Sequence, residues 1–488
     1  MVGLEGLEGR PPRRSDFDSL YSSSARRYAL AAASLVAFVT PCTDTIYLPA
    51  LTSVEQDLNS SAAAVTATVS VYLAASAVGQ LVNGPITDYY GRSLLLFSSF
   101  VLYLGQTIGC VFVTTLDQLL VLRTLQGLLV TGTLVPAQAV IADVFAPAER
   151  GAAMGIFFSP LLLGPIVAPA LGGFLSKAYS WRATFVFLAA IAVPIAGFAK
   201  WALPETHPWY VARRLNNNKE GEEGKEGKEE VWESAPLALS SPFDPLRFLV
   251  DQDLSPYFLS IGTTFCAMFV SLTLLPLFLS RPPYSLSSDM VGLCYLPSGI
   301  SMLIASNIGG RAADLSAKRF PNTPDGRMTL LLPYLWSIVP GCVWFGFALA
   351  QGEHLAAVLV AHSLLCFGQA ALMPSTLSFL SSSRPAFAGQ TGAALMFICF
   401  GGAAATISVS VVIIESVGVG YFFLISAVIV ALGAAVTTFL NLQRVFYSAT
   451  TPLPQTEDAA ADLAAADAHV NFELVVVEET KKGTDVTP

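Results

Sequence analysis

Charge is scarce in this sequence. Of 488 residues only 12% are Asp, Glu, Lys or Arg, against 53% apolar. Soluble chains carry about a quarter charged residues, so the shortage excludes most soluble enzymes and makes hydrocarbon the solvent for most of the surface. What charge exists is segregated: 28 residues between Asp88 and Asp117 contain Arg92 alone, and 27 between Asp253 and Arg281 contain none. Each run exceeds the roughly 20 residues that a helix needs to cross a bilayer. Paired cysteines are lacking as well. Seven cysteines stand singly in apolar runs without metal-ligand spacing, which reads as buried free thiols and no bound metal. A G-x-x-x-x-G-K-[ST] loop is absent, which argues against nucleotide hydrolysis as the energy source, and no paired carboxylates or activated nucleophile mark an enzyme. No cofactor is implied. The net charge of −9 comes mostly from the ends and one central stretch, so nucleic acid is not an expected partner. A short apolar core with a small-residue cleavage site is missing from the N-terminus, so an uncleaved first span is expected.

What is present is a series of spanning-length apolar runs. They lie near 28–51, 65–87, 94–115, 118–143, 152–175, 181–203, 254–280, 290–310, 328–350, 355–378, 389–414 and 418–443. Backbone hydrogen bonds have to close within the lipid, so each run is expected to be a helix. With the N-terminus inside, inner segments hold 22 of the 26 Lys and Arg residues, while outer loops hold Lys177, Arg182 and Arg281. The positive-inside rule then puts both ends in the cytoplasm, most simply of a plasma membrane protein, although no sorting signal excludes an organelle. Asn59-Ser60-Ser61 is a glycosylation sequon, and this topology places it in the first outer loop.

Residues 1–27 and 445–488 read as disordered cytoplasmic tails, and the linker 205–253 includes the low-complexity run NNNKEGEEGKEGKEE at 216–230. That linker separates two six-span halves, 28–204 and 254–444. The halves echo each other, because Gly84-x-x-x-Asp88 and Gly310-x-x-x-Asp314 end spans two and eight at an offset of 226. Parallel six-helix repeats are one arrangement of transporters that bind substrate near midplane between the halves.

In GPITDYYGRSLLL (84–96), Gly84 and Gly91 allow a tight loop between spans two and three, and Asp88 and Arg92 stand ready to bond across helix ends. A charged boundary loop fits the same residues. Here the sequence resembles the major facilitator superfamily, whose signature reads G-x-x-x-D-[RK]-x-G-R; Tyr89 replaces the usual basic residue. RTLQG (123–127) resembles the span-four motif with an intramembrane Arg, and GIFFSPLLLGPIVAPALGG (155–173) resembles the antiporter signature, with Gly155, Gly164, Pro165, Gly172 and Gly173. TDTIYLPAL (43–51), ADVFAPAERGAAMG (142–155), SWR (180–182) and LPET (203–206) are similar to twelve-span drug:proton antiporters, particularly fungal ones. The second half is supported mainly by GGRAADL (309–315).

The resemblance implies an all-α membrane protein with twelve transmembrane helices in two pseudo-symmetric bundles, the major facilitator fold. It also implies gating by Gly84, Asp88, Gly91, Arg92, Asp143, Gly310 and Asp314, with an Arg92–Asp143 pair holding the outward-facing state and Asp88 facing the start of span eleven. Small residues, with kinks at Pro165 and Pro169, suit close helix packing, and in the resembling family this seam seals one half of the path.

Two residues are charged well within spans, Asp44 and Arg123. Counted from Leu51 and Asp117, both lie about 10 Å below the outer boundary and can face each other. Such groups are functional candidates with a partner to be named, and an acid beside a cation can load and release a proton as its surroundings change. A static ion pair that fixes packing fits the same two residues. His362 and Gln369, seven apart on the inner half of span ten, read either as core or as a secondary proton site at the histidine. An aromatic wall for amphipathic compounds is expected from Tyr47, Tyr72, Gln126, Phe265, Phe269, Tyr295, Gln369 and Phe397. The expected function is a monomeric, proton-coupled exporter of small organic compounds, with protons, substrate and lipid as its partners. An organic acid exporter using Arg123, and a non-transporting nutrient sensor, are the competing readings.

Overall fold

A computed structural model describes residues 21–145, 147–206, 241–320, 324–384 and 387–450. The run at 216–230, most of both tails and the Arg150 side chain lie outside the described residues. Twelve helices are long and apolar enough to cross a membrane. They are labelled α1 to α12: Ser23–Asp57, Ala62–Tyr90, Arg92–Val111, Leu116–Val144, Pro147–Ala178, Arg182–Ala202, Ser255–Leu279, Ser288–Arg319, Leu332–Gln351, Leu355–Ser383, Ala388–Val417 and Val419–Thr450. α1 is interrupted by a turn after Thr45 and a short 3-10 segment, Leu48–Ala50. α8 is interrupted at Cys294. No strand occurs among the described residues.

Several helix ends correct the sequence boundaries. α1 starts at Ser23, where Ser22 Oγ accepts from the Ala25 amide at 3.3 Å, and α12 runs on to Thr450. Both extensions fall in stretches read as tails, because a polar segment adds turns to an anchored helix without burying a core of its own. Part of the presumed linker is also ordered: Asp244–Val250 forms a 3-10 helix, tied down where Arg384 Nη2 meets Asp251 at 3.1 Å.

Packing repeats between the halves. α2 against α4, α1 against α5, and α3 against α4 and α6 recur as α8 against α10, α7 against α11, and α9 against α10 and α12. The bundles meet along α2–α11 and α5–α8, which the same symmetry relates. One face of the molecule carries Arg92, Arg311, Arg384 and Arg444 and is called here the basic face; the far face carries Asn59, Trp181 and Arg281. Many hydroxyls inside the spans return to their own helices, as Thr43 Oγ1 does to Val39 O at 2.7 Å, which satisfies them without water, whereas those of Thr40, Ser70 and Thr87 are buried without a protein partner.

Candidate functional site

α1, α2, α3 and α4 converge on the two intramembrane charges. Gly127, one turn beyond Arg123, lies so close to the Tyr72 carbonyl that a Cβ would collide with it. That absence of a side chain lets α2 approach α4 and lays the Tyr72 ring beneath Arg123. The guanidinium carbon is 4.3 Å from the Tyr72 ring centroid and 5.1 Å from that of Tyr47. Tyr72 Oη then donates a short hydrogen bond to Asp44 Oδ1. Asp44 is 7% exposed and Arg123 fully buried.

The direct Asp44–Arg123 contact expected from depth alone does not form among the described residues. A phenol stands between the charges instead, bonding the carboxylate with its hydroxyl and the cation with its ring face. Arg123 Nη1 donates to Gln126 Oε1 at 2.6 Å and to Thr43 O at 3.4 Å. Gln126 Nε2 reaches Thr107 at 3.2 Å, and Thr43 pairs with Tyr103 Oη at 2.6 Å. Arg123 Nε and Nη2 have no protein partner. These two nitrogens form the side of the guanidinium that grips a carboxylate in bidentate fashion. Neither Thr43, Tyr103 nor Thr107 stood out in the sequence, since uncharged hydroxyls in spans are common and only the fold gathers them.

The remaining sites divide. His362 lies seven residues after the start of α10 at Leu355, hence in the far-face half of that helix and not in the inner half. The reason is simple: α10 extends to Ser383, which shifts its middle to Gln369. His362 is fully buried in the other bundle, against Phe345 at 5.3 Å and Tyr295 at 6.5 Å, and does not join Asp44. Of the presumed wall, Tyr47 bonds Thr68 at 3.3 Å and Tyr295 donates to Leu272 O at 2.6 Å; both are fully buried core. Phe265 and Phe269 stack at 4.7 Å beside Phe400, which sequence reasoning missed, while Phe397 is half-buried elsewhere on α11.

At the basic face Arg92 is brought together with Asp88 at 3.1 Å and Asp143 at 3.3 Å. Gly91 makes the turn with φ of +100°, a region costly for other residues. Gly84 instead lies inside α2 with open space about it. Two residues of LPET complete the cluster: Glu205 accepts from the Arg92 and Ser93 amides at 3.0 and 2.9 Å, and Thr206 donates to Asp143 at 2.7 Å. The second half departs from the expected copy. Gly310 faces open space, and Asp314 is exposed without an ion pair among the described residues. Its charge cluster is built from Arg384 with Asp251 and Asp253, and Arg444 with Asp253 and Asp325, at 3.1 to 3.3 Å. These come from helix ends, the segment between α8 and α9, and the linker, which spacing within a span does not reveal.

The small-residue seam has two sides. A Cβ at Gly164 or Gly172 would collide with Pro41 or the Ile46 carbonyl of α1. One at Gly173 would strike the Ser288 carbonyl of α8, and Gly292 and Gly299 of α8 press on Pro169 and Ile166 in return. Pro165 lies within α5 beside Gly164, and Gly155 has open space and takes no part. On the far face Lys177–Asp289 at 2.8 Å and Arg281–Glu55 at 3.0 Å join the bundles. They border a cavity of about 640 Å³ whose lining includes the exposed Asn59.

Two six-helix bundles that meet along α2–α11 and α5–α8, the latter across Gly173, Gly292 and Gly299, with charges buried inside one bundle, have the architecture of a membrane transporter. A family model described as Major Facilitator Superfamily matches residues 33–406, and the chain belongs to that family. It is 31% identical over 385 residues to "Efflux pump radE" of Floropilus chiversii, covering 75% of this chain and 70% of the relative. Identity to "MFS antiporter QDR1" of Candida albicans is 24%, over 91% and 92% of the two chains. "Citrate exporter 1" of Aspergillus niger is 28% identical over 60% of this chain and 58% of its own. Among solved structures, a D-xylose-proton symporter superimposes with a TM-score of 0.63 at 13% identity, over 84% and 96% of the chains, which speaks for the fold alone.

Proposed function

We propose that this transporter is a proton-coupled exporter of small organic compounds, and that Asp44 carries the proton. The observation that bears the reading is the buried carboxyl of Asp44, held by Tyr72 against the face of Arg123. Ionising such a carboxyl costs about 3 kcal/mol or more unless its surroundings compensate, so rearranging the phenol changes its proton affinity without any backbone refolding. Alternating exposure to the two sides then exchanges a proton for substrate. The basic face is assigned to the cytoplasm of the plasma membrane, the cluster at Asp88, Arg92 and Asp143 to gating, Asn59 to glycosylation and the working unit to a monomer.

A second reading is favoured by one observation. The unpaired Nε and Nη2 of Arg123 suit a carboxylate, and one relative is named as a citrate exporter. An organic acid as cargo would use that fork. The test is a transport screen in proteoliposomes under an imposed pH gradient, with neutral compounds and organic acids side by side. Gradient-dependent flux that Asp44→Asn abolishes supports the reading; flux indifferent to both gradient and substitution refutes it.

A further inference from the structure

The outer wall of the N-terminal bundle holds a groove that the transport cycle does not use. It has a volume of about 760 Å³ and lies where α3 passes the end of α6, lined by Leu94, Phe97, Val101 and Leu102 of α3, by Lys200 of α6 and by Glu205. The four apolar residues follow the spacing i, i+3, i+7 and i+8, so they share one face of α3. Leu94, Val101 and Leu102 are exposed. Ser98 stands among them, but its hydroxyl donates to Leu94 O at 2.8 Å and so stays within its own helix. The wall is apolar along its length. From Ser93 to Leu102 α3 rises about 14 Å, close to one leaflet of a hydrocarbon core about 30 Å thick.

Aromatic side chains fix the depth of the groove's charged end. Trp201 of α6 is 69% exposed, stacks on Phe198 at 5.8 Å and meets the exposed Tyr28 edge-on at 5.2 Å. Exposed Trp and Tyr gather at headgroup level, so Lys200, one residue before Trp201, stands there too. Its Nζ lies 4.5 Å from the centroid of the Phe97 ring, which draws the ammonium over the groove. None of the ion pairs among the described residues includes Lys200. Glu205, the one carboxylate in the lining, accepts from the Arg92 and Ser93 amides instead.

We propose that this groove holds one anionic phospholipid, with its phosphate on Lys200 and an acyl chain along Leu94, Phe97, Val101 and Leu102. A cation at headgroup depth at the end of an apolar wall one leaflet long matches both parts of that molecule. The leaflet is the one on the basic face, where anionic lipid is drawn to Lys and Arg. Nothing in the inference depends on what the protein transports.

The test is native mass spectrometry of the purified full chain in detergent, titrated with phosphatidylglycerol or with phosphatidylcholine of identical acyl chains. Wild type is expected to bind its first phosphatidylglycerol about fivefold more tightly than its first phosphatidylcholine. Lys200→Gln should abolish that preference and keep the phosphatidylcholine affinity, which also reports a folded protein, while Lys200→Arg should retain the preference. Lys318→Gln removes another exposed cation of the basic face, on α8, and should leave it unchanged. Val101→Trp fills the groove and should weaken the first bound lipid of either kind; because Val101 is exposed, this variant carries the test should Lys200→Gln fail to fold. Equal wild-type affinities, a preference that survives Lys200→Gln or falls as far in Lys318→Gln, or lipid affinity that Val101→Trp leaves intact would each overturn the proposal. Displacement of the lipid by sn-glycerol 3-phosphate would also overturn it, since the ligand would then be a soluble phosphate. Binding is read here without flux, so loss of the export reading would leave the site standing, and loss of the site would leave that reading untouched.

Discussion

The guanidinium of Arg123 rests on the ring face of Tyr72, 4.3 Å from its centroid, and the same tyrosine's hydroxyl holds Asp44. One side chain therefore links a carboxyl and a cation that do not touch. Tyr72→Phe keeps the cation on its ring and removes the hydroxyl. It is expected to lower gradient-driven flux about tenfold while stability changes by about 1 kcal/mol, the worth of a single hydrogen bond. Tyr72→Leu also loses the cation–π contact and should destabilise by about 2 kcal/mol or more. Flux in proteoliposomes and thermal unfolding in detergent separate the two effects.

Arg123→Lys discriminates between cargoes. A lysine keeps the charge but loses the Nε/Nη2 fork, so an exported carboxylate should suffer by about tenfold or more while a neutral compound is little affected. Equal losses for both would remove the organic acid from consideration.

Much of the fold was legible because lipid imposes a simple rule, and α7 and α11 followed directly from runs without charge. Asp44 and Arg123 were equally visible as charges with no water to solvate them. Their linkage was not, since Tyr72 comes from a third helix and its placement depends on the bare Cα of Gly127. The roles of Glu205 and Thr206 were hidden for a similar reason: LPET was recognisable as a signature, yet only the return of α6 to the basic face brings it to Arg92 and Asp143. Asp314 was over-read, because matching residue types at a repeat offset do not bring along a partner.

Packing along α5 predicts a contrast between glycines. Gly172→Ala forces a methyl against the Ile46 carbonyl and should cost about 1 to 3 kcal/mol, while Gly155→Ala, facing open space, should be neutral or slightly stabilising. Unfolding temperatures of the two purified variants check this.

Closure of the far face predicts a rescue. Glu55→Arg places two cations where Arg281 now pairs, so it should open that face and raise the labelling rate of a cysteine introduced at Ser287, a cavity-lining position, severalfold. Adding Arg281→Glu restores an opposite pair and should bring the labelling rate back down.

The central claim, that Asp44 carries the exchanged proton, is tested most directly by proton movement itself. A pH-sensitive dye inside proteoliposomes would follow the lumen as a transported compound is added outside with no gradient imposed. Wild type should move protons opposite to the compound, and Asp44→Asn should move the compound down its own gradient with no change in dye signal. Proton movement that persists in Asp44→Asn, or its absence from a wild type that transports, would contradict the account.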